Sequence, residues 1–595
     1  MYRTSVRSTL LSDALYTILM EPCSNFICFK NSFSFVVESL SIQLLTLTLI
    51  VSFESHKPAS AKPSNMSQVN YLTTMLLDFP VEILLDILSR LDVRDLVRAR
   101  RVCNHVRQAI DSSSELLYSI DLEYFNAIPV PSTPGSDRSI TALRKSLLQS
   151  ESAWQKAEYS ERDTIVLPHP PNMHQWSCDV LGFPAENLQQ MMFFQPQLAD
   201  GHSNATTLRQ WNCEFDSTVA HHQFSVAEDL MVLIVRARST ESHAYDVIFR
   251  SLSEDEDHPA AAFASVKALD NEADLELLNP STLRSSIFGD YYGVMFRNVN
   301  KANGGVADFL QIWNWKSKDA FQCLEVFNPA RKTMNFSFLT NEKILVVNTS
   351  ELLLYSLVHS SNSLQLTAKF SLPALHSPFE YTCIGFSPVP SDARAHNRMV
   401  ALSMDVSGGH LAKNPCFTSY IERNTLLELE STYVGHYGKA SEDSPNLPWS
   451  SWGPNHTRSF EESSFDPCKH SVFGFRCASL VGGRNTQRPL CIRDFNPHRV
   501  VDFKAGNGTR WNQRLVEGSE ILPSSGLFLE PLGSGLPYLE TTTEEKFLST
   551  DLTMEANRVT LLSFEIKSTI RVPHAGEQSF VEYKILQGFE VLDFE

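Results

Sequence analysis

The chain has no C-x-x-C pair and no Cys/His run at zinc spacing, so a structural metal is not expected. It has no surplus of positive charge: 50 Lys+Arg against 68 Asp+Glu leave a net −18. That argues against a chain built mainly to coat nucleic acid or an anionic membrane, though it leaves room for a local basic patch. Glycine is scarce, 24 residues against 37 Phe and 30 Pro, unlike a phosphate-binding α/β enzyme. G-x-S-x-G and H-E-x-x-H do not occur. Val434-Gly435-His436-Tyr437-Gly438-Lys439-Ala440-Ser441 has the wrong spacing for a phosphate loop. Long apolar runs are absent apart from Phe33 to Phe53, which is long enough to span a bilayer. It contains Glu38 and Gln43 and starts too far from the first residue for a simple signal peptide. The Lys/Pro/Ser stretch at 57–64 comes next, then Met66. We read residues 1–65 as a disordered or non-native leader, with a membrane anchor or targeting segment as the alternatives.

At 595 residues and 43% apolar, the chain suits two to four folded domains. Eleven cysteines, an odd number, favour reduced thiols and a cytoplasmic or nuclear protein. The six N-x-[ST] triplets, beginning at Asn65, Asn204, Asn335, Asn348, Asn455 and Asn507, are read as chance occurrences.

Residues 66–125 carry the clearest helical pattern. Pro80 suits the first position of a helix. Leu84, Ile87, Leu88 and Leu91 lie on one face, with Ile83 and Leu85 flanking it and Glu82, Asp86 and Ser89 opposite. Asp92 is placed to cap a second helix, with Asp95 in the capping-box position. Leu96, Ala99, Cys103 and Val106 share one face; Arg94, Arg98 and Arg101 share the opposite one, which we read as solvated. A third short helix is predicted near Val106–Ile110. The first helix has more apolar surface than a small core needs.

The run Leu77-Asp78-Phe79-Pro80-x-Glu82-Ile83-Leu84-x-x-Ile87-Leu88-x-x-Leu91-Asp92-x-x-Asp95-Leu96-x-x-Ala99-x-x-Val102-Cys103 resembles the F-box, the module that docks on a Skp-type adaptor in cullin–RING ubiquitin ligases. The resemblance implies adaptor contacts at Pro80, Glu82, Ile83, Leu84, Ile87, Leu88, Leu91, Leu96, Val102 and Cys103. Two positions depart from the family pattern: Phe79 stands for its Leu, and Val106 for its Trp, a common anchor.

A linker rich in proline, Ile128 to Gly135, leads to a helix marked by Leu143, Leu147, Leu148, Ala153 and Trp154. We assign 126–164 to linker and spacer helix. From there, short β-branched and aromatic runs alternate with turns. Leu230–Val235, Tyr245–Phe249, Tyr292–Phe296, Phe309–Trp315, Ile344–Val347, Leu352–Leu357, Met399–Met404, Val472–Arg476 and Val559–Ile566 are predicted strands. Asn348 to Glu351 reads as a tight hairpin turn. Such recurrence suggests radial repetition over 165–595, with six to eight blades at roughly 40–60 residues each. Ile312-Trp313-Asn314-Trp315-Lys316 resembles the strand ends of WD-repeat propellers, although the repeat is degenerate. Together with the helix ending at Trp154 and Trp452-Gly453-Pro454-Asn455-His456-Thr457-Arg458, it resembles fungal F-box proteins with a divergent propeller-like C-terminal half.

The expected fold is an α+β multidomain chain, a three-helix F-box module followed by a large all-β propeller-like domain. His221 and His222 are adjacent on a strand and cannot share a metal. His169 and His174 lie in a Pro-rich loop, and Glu254 to Asp257 reads as a solvated turn. No catalytic, cofactor or metal residues are assigned. The expected function is that of a non-enzymatic substrate receptor of an SCF-type ligase. Its partners would be a Skp-type adaptor, the cullin complex and a target protein, with no nucleic acid and no membrane. The alternatives are a propeller hydrolase with a central-channel site and a membrane-anchored scaffold.

Overall fold

Alternating burial along short strands organises most of the chain. The computed structural model describes residues 79–127, 139–167, 175–177, 180–185, 188–197, 207–238, 241–270, 283–300, 306–317, 322–327, 332–387, 399–408, 414–462, 471–482, 486–506, 513–518, 525–574 and 577–594. The leader reading, the apolar run at 33–53, and His169 and His174 lie outside these residues. Among the described residues, no helix is long and apolar enough to cross a membrane. The chain divides into two compact units: Met1–Glu123 with Ser139–Arg144, and Tyr124–Arg138 with Lys145–Glu595.

The first unit is helical, with α1 (Val81–Leu88), α2 (Val93–Ala99), α3 (Asn104–Ser112) and most of α4 (Ser114–Phe125). The sequence predicts three helices and misses α4, whose apolar residues are spread around its circumference. Pro80 sits just ahead of α1, and its carbonyl accepts from the N–H groups of Ile83 and Leu84 at 3.1 Å each. Asp92 caps α2 through the Asp95 N–H at 2.8 Å. The Asp95 carboxylate turns to Arg98, also at 2.8 Å, instead of completing a capping box. Leu84, Leu88, Leu96, Ala99, Val106, Ala109, Ile110 and Leu116 form the core.

The second unit opens with most of α5 (Ile140–Lys156) and is otherwise β-rich. β1 (Glu161–Val166) precedes blade 1: β2 (Gln175–Ser177), β3 (Val180–Pro184), β4 (Gln190–Gln197) and β5 (Thr207–Glu214). Blade 2 is β6 (Val219–Ser225), β7 (Leu230–Arg236), β8 (His243–Ser251) and β9 (Ser265–Asp270). Blade 3 is β10 (Arg284–Phe288), β11 (Tyr291–Asn300), β12 (Val306–Asn314) and β13 (Gln322–Phe327). Blade 4 is β14 (Asn335–Thr340), β15 (Lys343–Val347), β16 (Glu351–Val358) and β17 (Ser363–Ser371). Blade 5 is β18 (Glu380–Phe386), β19 (Met399–Ser407), β20 (Cys416–Glu422) and β21 (Thr457–Glu462), with α6 (Arg423–Tyr437) and α7 (Trp449–His456) inserted before its last strand. Blade 6 is β22 (Ser471–Phe473), β23 (Arg476–Leu480), β24 (Arg488–Asp494), β25 (Arg514–Val516) and β26 (Tyr538–Phe547), with α8 (Pro497–Lys504) between β24 and β25. Blade 7 is β27 (Asp551–Met554), β28 (Arg558–His574) and β29 (Glu577–Asp593), completed by β1.

β1 pairs antiparallel with β29, from Glu161 opposite Asp593 to Val166 opposite Gly588. The last strands therefore close the sheet with an early one, as the strand count leads one to expect. The closing strand starts at Glu161, ahead of the boundary at 165 read from the sequence. Seven sheets make a seven-bladed propeller. Each blade buries both faces, so its middle strands read as continuous apolar runs. β7 shows how. Met231, Leu233 and Val235 pack with blade 1 residues such as Met191 and Phe193. Leu230, Val232 and Ile234 pack with blade 3 residues such as Tyr292 and Val294.

The predicted strands fall in β7, β8, β11, β12, β15, β16, β19 and β28. The exception is Val472–Arg476, which is a hairpin turn joining β22 to β23, with Gly474 at φ 60°. That left-handed conformation is cheap only for glycine.

Candidate functional site

Of the ten residues the F-box resemblance assigns to the adaptor, the structure divides interior from surface. Leu84, Leu88 and Leu96 belong to the module's own core, and Ile87 is buried as well. Pro80, Glu82 and Val102 are exposed; Ile83, Leu91 and Cys103 are half-buried. Val81, outside the expected set, is also exposed, at 42%. Apolar groups left at least partly exposed in this part of the module include Pro80, Val81, Ile83, Leu91 and Val102. Val106, where the family pattern has Trp, is buried in the core, so this position fills space inside the module.

Part of the charge around the module is paired locally. Arg90 meets Asp86 at 3.6 Å, Arg100 meets Asp111 at 2.7 Å, and Arg144 meets Asp121 at 2.6 Å. Arg98 meets Asp95 at 2.8 Å yet stays exposed, as do Arg94 and Arg101, so the arginine face is solvated as read from the sequence.

In the propeller, the first strand of each blade lies innermost: β2, β6, β10, β14, β18, β22 and β27. One side-chain group there resembles catalytic parts. His221 Nε2 lies 2.8 Å from Ser285 Oγ, and the Ser285 hydroxyl donates to Gln223 Oε1 at 3.2 Å. A hydroxyl has one hydrogen, so with Gln223 as its acceptor the serine receives a hydrogen bond from the His221 N–H. In that tautomer the imidazole cannot take the serine proton. Among the described residues no carboxylate hydrogen-bonds His221. Burial, with Arg284 nearby, pushes His221 down to about 4 and keeps it neutral. The pair reads as a satisfied link between blades 2 and 3. His222 is buried, and no metal-holding group of His, Cys, Asp or Glu occurs among the described residues.

The two sequence motifs of the body serve packing. Trp313 and Trp315 both sit in the core between blades 2 and 3. Trp315 Nε1 donates to the Gly289 carbonyl at 2.9 Å. Lys316 crosses the Trp315 ring and pairs with Glu228 at 2.6 Å and Asp290 at 2.9 Å. In the second motif, Gly453 lies against the Trp449 ring, and Thr457 Oγ1 donates to the Gly453 carbonyl at 2.8 Å. Buried Arg458 donates to the carbonyls of Gly518 and Ser534, both at 2.8 Å. The run at 434–441 is the end of α6 and its cap, not a phosphate loop. Asn348 shapes the predicted hairpin, its carboxamide oxygen accepting from the N–H groups of Ser350 and Glu351.

Compared with protein families, residues 76–118 match the F-box domain. The chain therefore contains an F-box domain followed by a seven-bladed propeller. Comparison with curated proteins finds no match. Among solved structures, a functionally unknown protein from Desulfotomaculum acetoxidans DSM 771 is similar at 9% identity and TM-score 0.19, over 41% of this chain and 82% of that one. Dihydro-heme d1 dehydrogenase NirN, in complex with DHE, is similar at 10% identity and TM-score 0.25, over 80% and 90%. The tricorn protease is similar at 9% identity and TM-score 0.20, over 67% and 37%. At these scores the propeller assignment rests on the sheet topology alone.

Proposed function

We propose that this protein is the substrate-receptor subunit of a cullin–RING, SCF-type ubiquitin ligase. The observation that carries the reading is an F-box domain with its own core and a remaining apolar surface, joined in one chain to a seven-bladed propeller. F-box domains bind Skp-type adaptors in cullin complexes. Pro80, Val81, Ile83, Leu91 and Val102 are the groups offered to the adaptor. The interior residues Leu84, Leu88 and Leu96 hold that surface in shape. The propeller displays a target protein, and the protein supplies proximity to a charged ubiquitin carrier instead of an acid, base or nucleophile. The described cysteines are free thiols, in keeping with action in the cytoplasm or nucleus.

The test is reconstitution of the full chain with a purified Skp-type adaptor and cullin. Adaptor capture, and ubiquitination of bound proteins that depends on the F-box, are expected. A chain that fails to bind the adaptor at micromolar concentration overturns the reading.

A further inference from the structure

The outer strand of every propeller blade is an edge, and a bare edge invites pairing by other chains unless it is covered or charged. Here the edges of blades 4 to 6 are covered by the chain itself. On β17, Leu447 exchanges backbone hydrogen bonds with Lys369 and Ser371 at 2.8 and 2.9 Å. On β21, Ser459 and Thr457 bond with Gly533 and Leu536. In blade 6, β25 is added outside β26 as a fifth strand. Among the described residues, the outer strands of blades 7, 1 and 2 carry charge: Glu161 and Arg162 on β1, Arg209 and Glu214 on β5, and Lys267 and Asp270 on β9 are exposed.

Blade 3 differs. Among the described residues, β12 is the one ladder partner of its outer strand β13. Cys323 and Phe327 pack inward against blade 4. The alternate positions, Leu324 at 36% and Val326 at 44% exposed, are aliphatic, and no exposed residue of β13 is charged, whereas β1 sets its exposed Val166 in the same strand as exposed Glu161 and Arg162. Val306, at the start of the neighbouring β12, is exposed too, at 44%.

We propose that β13 is a recruitment edge, on which an extended segment of the target protein adds as a fifth strand and sets alternate aliphatic side chains beside Leu324 and Val326. The backbone groups along the edge select a strand over a helix, and the period of two selects the side chains. The fold accepts this addition elsewhere, since blades 5 and 6 already take extended segments of the chain on their outer edges. That the occupant belongs to a target rests on the receptor reading above.

The experiment uses the full chain bound to its adaptor and two Lys-flanked peptides of alternating Thr and Val, one with a native backbone and one N-methylated at alternate residues. The native peptide is expected to bind and to slow hydrogen exchange of the β13 amides. N-methylation, or Leu324→Lys with Val326→Lys, is expected to weaken binding at least tenfold while thermal unfolding and adaptor capture stay unchanged. No binding of the native peptide, equal binding by the double variant, or unchanged exchange over 322–327 overturns the proposal. A wild-type dimer that the double variant dissolves also overturns it, making a second copy of the chain the occupant. Failure of adaptor capture by the wild type instead overturns the receptor reading.

Discussion

A Cβ built on Gly453 falls 2.3 Å from the Trp449 ring, which is walled in at the start of α7. Gly435, on the exposed side of α6, has nothing within 4 Å. Gly453→Ala should destabilise the propeller by about 1–3 kcal/mol through overpacking, whereas Gly435→Ala should stabilise by up to about 1 kcal/mol. Chemical denaturation of the two variants checks both signs. His221 gives a pH signature at the same scale. Its folded imidazole takes a proton only near pH 4, against an ordinary 6.5. The unfolded chain therefore binds the proton first as pH falls. His221 costs no stability above pH 7 and a growing amount below 6.5, up to about 3 kcal/mol near pH 4. His221→Gln should remove that slope; a stability difference from wild type that is the same at pH 7.5 and 4.5 would refute it. In the F-box, Ile83→Glu with Val102→Glu should weaken adaptor binding at least thirtyfold, about 2 kcal/mol, with the module still folded. Leu88→Asp should unfold it by burying an unpaired charge, and circular dichroism separates the two failures.

At the scale of elements, α5 is more than a spacer. Glu151 and Trp154, three residues apart and so on one helical face, are both buried. Glu151 accepts from Arg476, which also lies 3.5 Å from Asp494 and over the Trp154 ring. Arg499 pairs with the same Asp494. Trp154 stacks on Phe594 with ring centroids 4.0 Å apart, so α5 covers the residue that follows β29. Glu151→Ala leaves a buried guanidinium short of an anion and should cost about 3–5 kcal/mol. Glu151→Met combined with Arg476→Met should recover most of that loss, because the desolvation penalty disappears with the charges. Thermal unfolding of the single and double variants is the measurement; equal losses would refute the argument. The sequence shows Trp154 as an apolar helix position. It does not show that Glu151, on an otherwise polar stretch, finds its partner more than three hundred residues on.

For the propeller as a whole, stability depends on a ring of interfaces. One core cluster lies between each pair of neighbouring blades, including blades 7 and 1, where Leu181 and Phe194 meet Leu586 and Phe589. Removing Val559 onward would take out β28 and β29, strip two interfaces and leave β1 unpaired. The truncated body should lose cooperative unfolding and aggregate through its open edges. A soluble product with a sharp thermal transition would show that the ring does not need its closing strands.

The F-box was legible because its signals are local: a proline before a helix, an aspartate cap, and apolar residues three and four apart. The strands were legible because blade interiors demand unbroken β-branched and aromatic runs. α7 was hidden by Gly453 and Pro454, both poor helix formers that tertiary packing overrides, and the β22–β23 hairpin by a glycine inside an apolar run. What sequence alone determined was which segments are apolar, where the first F-box helices and the most apolar blade strands lie, and that a three-helix motif of known spacing lies ahead of a β body. Only the tertiary structure decided that the blades number seven, that Glu161–Val166 closes the last of them, and which F-box side chains face outward. Those outcomes depend on contacts between residues far apart in the chain, which periodicity and spacing do not encode.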